Sequence, residues 1–144
     1  MSIPRLVLDT SVLVAALRSR RGASFKLLSQ IDAGVYQTAV SVPLVFEYEA
    51  VGKRHARAAG LTHEDIDDVI DYICQVSIQQ GIFYLWRPYL KDPGDDLVLE
   101  LAVAAECDAI VTHNVRDFAG TEEQFQVADW TPQQALRAIG GTQK

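Results

Sequence analysis

Cysteine is nearly absent. Cys74 and Cys107 are the only two in 144 residues, too few and too far apart for a disulfide framework or a zinc knuckle. No apolar run approaches the ~18 uninterrupted residues of a transmembrane helix. The amino end, Met1-Ser2-Ile3-Pro4-Arg5-Leu6, lacks the layout of a signal peptide, because Asp9 interrupts the apolar run that follows. Together these absences predict cytoplasmic residence. An excess of positive charge is missing too. The formal net charge of −6 argues against a general nucleic-acid coat protein. It leaves room for a nuclease, because a metal can neutralise acids locally. What is present is ordinary: a hydrophobic share of 49% and a charged share of 22% describe a soluble globule, and the length predicts one domain, 1–144, able to bury a core.

Along the chain, strand-like and helix-like stretches alternate, with no repeat, linker or low-complexity tract. Residues 5–9 read as a short buried strand, followed by a helix from Ser11 to Leu17. A basic loop, Arg18 to Gly22, breaks that helix. Ser24 is placed to cap a second one through Ile31, with Gly34 as its stop. Val35 to Val40 reads as a second strand. Ser41-Val42-Pro43 opens a third helix, with proline where a missing N–H costs little and with Leu44, Val45, Tyr48 and Val51 as its buried stripe. Thr62 and Asp65 resemble a cap for the clearest amphipathic helix, marked by Ile66, Val69, Ile70 and Ile73. Gly81 ends that region, and Ile82 to Trp86 suggests a short strand. Asp92-Pro93 starts another helix, Ala109 to Thr112 is a buried strand, and Phe125 to Val127 suggests a further one. Thr131-Pro132-Gln133-Gln134 opens the last helix. Such alternation implies βαβ crossovers and a mainly parallel sheet covered on both faces, a three-layer α/β/α architecture.

Four segments deliver acidic or amide side chains to the ends of apolar stretches. Asp9 closes the first strand. Burying it costs several kcal/mol unless something pairs with it; the plain alternative is a helix N-cap. Glu47 lies between Phe46 and Tyr48, beside the buried stripe. Asp92, Asp95 and Asp96 crowd one helix start, where the helix dipole favours acids but needs only one. Asp95 is the candidate to project toward the sheet edge, with Asp96 as its competitor. Asn114 and Asp117 follow the strand that ends at Thr112. His113 reads as loop surface, since hard Mg²⁺ prefers oxygen ligands. Carboxylates gathered at the carboxyl edge of a parallel sheet repel each other unless a cation sits among them, which points to metal-dependent chemistry on phosphate. Basic residues cluster at Arg18, Arg20 and Arg21, and at Lys53, Arg54, His55 and Arg57. These are either solvated faces or a grip on a phosphate backbone.

The ordered set of motifs resembles the PIN-domain family of Mg²⁺-dependent ribonucleases. The matching pieces are Val7-Leu8-Asp9-Thr10-Ser11-Val12-Leu13, Glu47 in the third helix, Asp92-Pro93-Gly94-Asp95-Asp96 with Leu101-Ala102 downstream, and Ile110-Val111-Thr112-His113-Asn114-Val115-Arg116-Asp117-Phe118. The closest subgroup is that of bacterial PIN proteins similar to the VapC-type toxins of toxin–antitoxin pairs. The resemblance implies that Asp9, Glu47 and Asp95 hold Mg²⁺, or Mn²⁺. Asn114 stands where many members carry a fourth aspartate, with Asp117 placed to compensate. Thr10, Ser11 and Thr112 match hydroxyl positions that orient the acids, with Asp96 as a further supporting acid. It also implies an RNA substrate, steered by Arg18, Arg20 or Arg21, and a cognate antitoxin. The antitoxin's carboxyl segment would fill a groove around Val45, Phe46 and Tyr48 and offer a basic group to the acids.

Two other readings remain open from the residues. Asn114 in place of an acid favours a PIN-like module that binds RNA or protein with little catalysis. A phosphatase or receiver domain fits poorly, because the acid wanted two residues after Asp9 is Ser11. A homodimer is left open on base rates, with Trp86 and Tyr89 as candidate contacts and core burial as the equal alternative for Trp86, and no membrane partner is expected.

Overall fold

The chain's computed structural model describes residues 3–81 and 90–142. The strand expected at Ile82 to Trp86, and the contacts assigned to Trp86 and Tyr89, lie outside those residues. Five strands form one parallel sheet: β1 (Arg5–Leu8), β2 (Gln37–Val40), β3 (Ile78–Gln79), β4 (Ala109–Val111) and β5 (Ala128–Trp130). Their order across the sheet is β3-β2-β1-β4-β5. From β1 the chain steps outward to β2 and β3, then crosses back to β4 on the other side of β1. Right-handed crossovers therefore place α1 (Thr10–Arg18), α2 (Ala23–Leu28), α3 (Val42–Ala56) and α4 (His63–Val76) on one face. The same rule sends α5 (Pro93–Ala104) to the other, where it packs against β1, β2 and β4. This is the expected α/β/α sandwich. The reversal of direction falls between β1 and β4, and there the carboxyl ends of neighbouring strands leave a crevice.

The core is what the buried parallel strands require. Leu6, Val7, Ala109, Ile110 and Val111 are all fully buried, as strands covered on both faces must be. Local signals account for most helix boundaries. Ser41 Oγ accepts the Leu44 N–H at 3.4 Å at the start of α3. Thr62 and Asp65 form a reciprocal capping box at α4, with bonds of 3.0 and 2.9 Å. Thr131 and Gln134 do the same before α7 (Pro132–Thr142). Gly52 lets α3 lie close to α4: a Cβ there would come within 3.1 Å of Ile66.

Several expected boundaries move. The second helix is Ala23–Leu28, with Gly22 rather than Ser24 at its N-cap. Ser24 is buried and its hydroxyl is spent elsewhere, on His113. The second strand begins at Gln37, not Val35. β3 is a two-residue strand at Ile78–Gln79, too short to show any periodicity. The last strand is Ala128–Trp130, because Phe125 ends the short helix α6 (Thr121–Phe125). Tyr48 is not part of an exposed groove. It is buried, and its hydroxyl donates to the Leu8 carbonyl, tying α3 to the strand that ends at Asp9.

Candidate active site at the carboxyl edge of the sheet

Asp9 leaves β1 at the crevice, its N–H bonded to the Val111 carbonyl of β4 at 2.9 Å. It occupies the N-cap position of α1, but its side chain makes no capping bond. Asp9 is 7% exposed, and its carboxylate is held by hydroxyls instead. Ser11 Oγ donates to Oδ2 at 2.7 Å and Thr112 Oγ1 donates to the same oxygen at 2.8 Å. Those hydroxyls are themselves pinned by the loop after β4. The His113 N–H donates to Ser11 Oγ at 3.2 Å and the Asn114 N–H donates to Thr112 Oγ1 at 2.9 Å. Two backbone amides thus fix two hydroxyls, which fix one oxygen of Asp9.

The acids at the start of α5 divide three roles among them. Asp92 is the cap, its Oδ1 accepting the Gly94 N–H at 2.8 Å. Asp96 turns inward, 8% exposed, and its Oδ1 accepts the Leu90 N–H at 2.8 Å. Asp96 is thus tied to the backbone just before α5 and is not among the residues that line the cleft. Asp95 faces the crevice. Glu47 reaches the same space from α3, with Oε2 accepting the hydroxyl proton of Thr10. Glycine is what allows α5 to start so close to Glu47: a Cβ on Gly94 would stand 3.0 Å from Glu47 Oε1 and 3.2 Å from Asp92 Oδ1. Gly94→Ala should leave thermal stability at or above wild type, since alanine favours a helix by up to about 1 kcal/mol. It should displace the Glu47 carboxylate and weaken Mn²⁺ binding, measured calorimetrically, by about 10–100-fold, the cost typical of disturbing a metal ligand's support. Unchanged Mn²⁺ affinity would refute this role for Gly94.

Asp9, Glu47, Asp92, Asp95, Asn114 and Asp117 all line one open cleft of about 580 Å³. Asp117 sits in the 3₁₀ turn Val115–Phe118, its N–H donating to the Asn114 carbonyl at 2.9 Å. Burial first, and then the charges of Asp9, Asp92, Asp117 and Glu47, push the Asp95 carboxyl up from its ordinary 3.8 to about 7. The ionised form is therefore disfavoured in the folded, metal-free protein. A folded pKa raised above the unfolded one stabilises the fold below pH ~4, and that contribution is lost as pH rises through about 7. Without divalent metal, the melting temperature of wild type should fall more steeply between those limits than that of Asp95→Asn. Parallel profiles would show that Asp95 does not carry the strain.

Of the expected basic residues, only Arg18 and His55 line the cleft; Arg20, Arg21, Lys53, Arg54 and Arg57 do not. Lys53 bridges Glu49 at 3.3 Å and Asp67 at 2.9 Å. His113 is exposed, as expected, yet it borders the cleft and its Nε2 bonds Ser24 Oγ at 2.7 Å. Asp92 is a lining carboxylate to which the sequence assigned no site role. The hint for Asp92 was its cap position beside Asp95; of the basic cluster read as a solvated face or a phosphate grip, His55 is the member that lines the cleft, two helical turns from Glu47.

A family model described as PIN domain matches residues 5–116, most of the chain. The chain belongs to the PIN-domain family. PIN domains are generally nucleases acting on phosphodiester bonds and generally use divalent metal ions. No curated protein matches the chain. Among solved structures, a chain of VapBC2 from Rickettsia felis, crystallised with a DNA fragment from their promoter, is similar with a TM-score of 0.57 and 13% identity. The match covers 88% of this chain and 98% of that one. At that identity the likeness is one of fold. No helix among the described residues of this PIN domain is long and apolar enough to cross a membrane.

Proposed function

We propose that this PIN domain is a Mg²⁺- or Mn²⁺-dependent endoribonuclease and the toxin of a toxin–antitoxin pair. The observation that carries the reading is the gathering of Asp9, Glu47, Asp95 and Asp117 in one cleft, where burial and the neighbouring acids push the Asp95 carboxyl up to about 7. Such a cleft is strained without a cation. Its donors are carboxylate oxygens, the type that hard divalent ions take. Among the described residues, no three His, Cys, Asp or Glu side chains stand close enough to hold a metal ion as they are. The fit is therefore one of charge and donor type rather than ready-made coordination.

Asp9, Glu47 and Asp95 would hold the ion, with Asn114 and Asp117 lining the same space. Bound there, a divalent cation supplies charge neutralisation, polarisation of the scissile phosphate and activation of water. The chain's own residues do the positioning. Ser11 and Thr112 spend both hydroxyls on Asp9 Oδ2, so Oδ1 is the oxygen left for the cleft. Thr10 holds Glu47 Oε2 in the same way and leaves Oε1. Arg18 offers positive charge to a phosphate at the cleft's edge. Single-stranded or looped RNA is the substrate form proposed, because its exposed backbone and splayed bases can enter a cleft that a duplex cannot.

An antitoxin is the proposed partner. Val42 and Phe46 are 68% and 65% exposed on α3 and border an apolar groove of about 290 Å³ with Val45, Cys74 and Gly81. Glu49, Asp67 and Asp71 border the adjoining hollow, which suits a segment carrying apolar anchors and basic flanks. A second copy of the chain is the competing occupant of that face.

The test is incubation of purified protein with a broad RNA pool across a Mg²⁺ and Mn²⁺ titration, with a chelator control. Cleavage that the chelator abolishes is expected. A binding module with little catalysis is the second reading, favoured by Asn114. Under it, RNA would be retained uncut at every metal concentration and the protein would bind Mg²⁺ negligibly.

A further inference from the structure

We propose that the cleft extends along the seam between α1 and α3 into a second subsite, where Arg18 and His55 hold a backbone phosphate about two nucleotides from the scissile bond. This rests on the ribonuclease reading. Both helices leave the same edge of a parallel sheet, after β1 and β2, so they run parallel, and they pack against each other. The residues they give to the cleft form two matched series at successive turns: Thr10, Val14 and Arg18 from α1, and Glu47, Val51 and His55 from α3. At the sheet edge, Thr10 is hydrogen-bonded to Glu47. One turn along, Val14, Ala15 and Val51 make a half-buried apolar saddle. A further turn along stand Arg18 and His55. Among the described residues neither is in an ion pair.

The acidic end would repel any phosphate not held by a cation, whereas the basic end attracts one. Eight residues of helix separate Glu47 from His55, a span of about 12 Å, or roughly two nucleotide steps of an extended strand. The strand's charged backbone thus meets acid plus cation at one end and Arg18 at the other. Between them the saddle presents apolar surface to a ribose or base. Arg18 provides charge and a forked set of donors. His55 provides a ring N–H, which it carries in either protonation state. Arg20 and Arg21 lie outside the cleft, so proximity in sequence to Arg18 does not make them part of the grip.

The experiment measures cleavage of single-stranded RNA pools of fixed length, from dinucleotides upward, under saturating Mn²⁺. The proteins are wild type, Arg18→Gln/His55→Gln and Arg20→Gln/Arg21→Gln, each checked for an unchanged melting temperature. For wild type, kcat/KM should step upward when the substrate becomes long enough to reach the second subsite. In Arg18→Gln/His55→Gln that step should vanish, KM for long RNA should rise about tenfold with kcat within about twofold, and the salt dependence of binding should weaken by roughly one phosphate's worth. Arg18→Lys alone should recover part of the KM loss. An intact length step in the double variant would overturn the subsite while leaving the nuclease standing. So would a larger KM rise from Arg20→Gln/Arg21→Gln. No cleavage by wild type at any length would overturn the nuclease reading, and the subsite with it.

Discussion

Asp9→Asn should abolish metal-dependent RNA cleavage, lowering kcat/KM by about 10³-fold or more, while the protein keeps its fold. The substitution keeps the shape of the side chain and one carbonyl oxygen to accept from Ser11 and Thr112. It removes the negative charge that a cation would neutralise. A bound cation is worth several kcal/mol of transition-state stabilisation, and each 1.36 kcal/mol is about tenfold in rate. Removing a carboxylate also lightens the repulsion on Asp95, since Asp9 is the largest of the neighbouring charges that raise its carboxyl. The variant should therefore melt at or above the wild-type temperature without metal, and gain less from added Mn²⁺. Paired melting curves and cleavage assays check both halves. Cleavage equal to wild type would remove Asp9 from the chemistry. A collapsed fold would mean that the hydroxyl network around it is structural first.

The second large effect is on stability. Phe118→Ala should cost about 3–5 kcal/mol, the usual range for deleting a fully buried phenylalanine. Phe118 is 0% exposed and closes the 3₁₀ turn that carries Asp117. Domains of this size hold about 5–15 kcal/mol in all, so the loss is a large share, and the melting temperature should fall by about 10 °C. Urea unfolding should show a lower midpoint with an unchanged slope, which signals lost stability rather than an altered unfolded state. Because the same turn fixes Asn114 and Asp117, cleavage at temperatures where the variant is still folded should drop as well. A cost below about 1 kcal/mol would mean that the surroundings collapse into the cavity, and that the turn does not depend on its anchor.

Asp9 could be singled out from sequence because β1 is apolar up to the point where it stops. A strand buried on both faces can end in a carboxylate only where the sheet meets solvent or a ligand. Asn114 followed by the same logic from β4, whereas the role of Thr112 came from the resemblance. The caps of α3, α4 and α7 were equally plain, since a hydroxyl or carboxylate accepting an orphan N–H acts within four residues. β3 could not be read, because a two-residue strand has no period. Ser24 misled, because its hydroxyl has two outlets, a helix N–H nearby or His113 far along the chain, and only packing chooses between them.

The sequence by itself determined the alternation of elements, the parallel sheet, the acids at strand and helix ends, and membership of a family. Family membership rests on the resemblance of the ordered motifs; the others rest on short-range rules: periodicity, capping and the cost of burying charge. The tertiary structure alone decided that Asp95 and not Asp96 faces the cleft, that the Asp9 carboxylate is held by hydroxyls instead of capping a helix, and that Arg18 and His55 line the cleft while Arg20 and Arg21 do not. Those outcomes depend on how helices separated in sequence settle against one sheet, and steric contact between distant segments leaves no periodic trace in the chain.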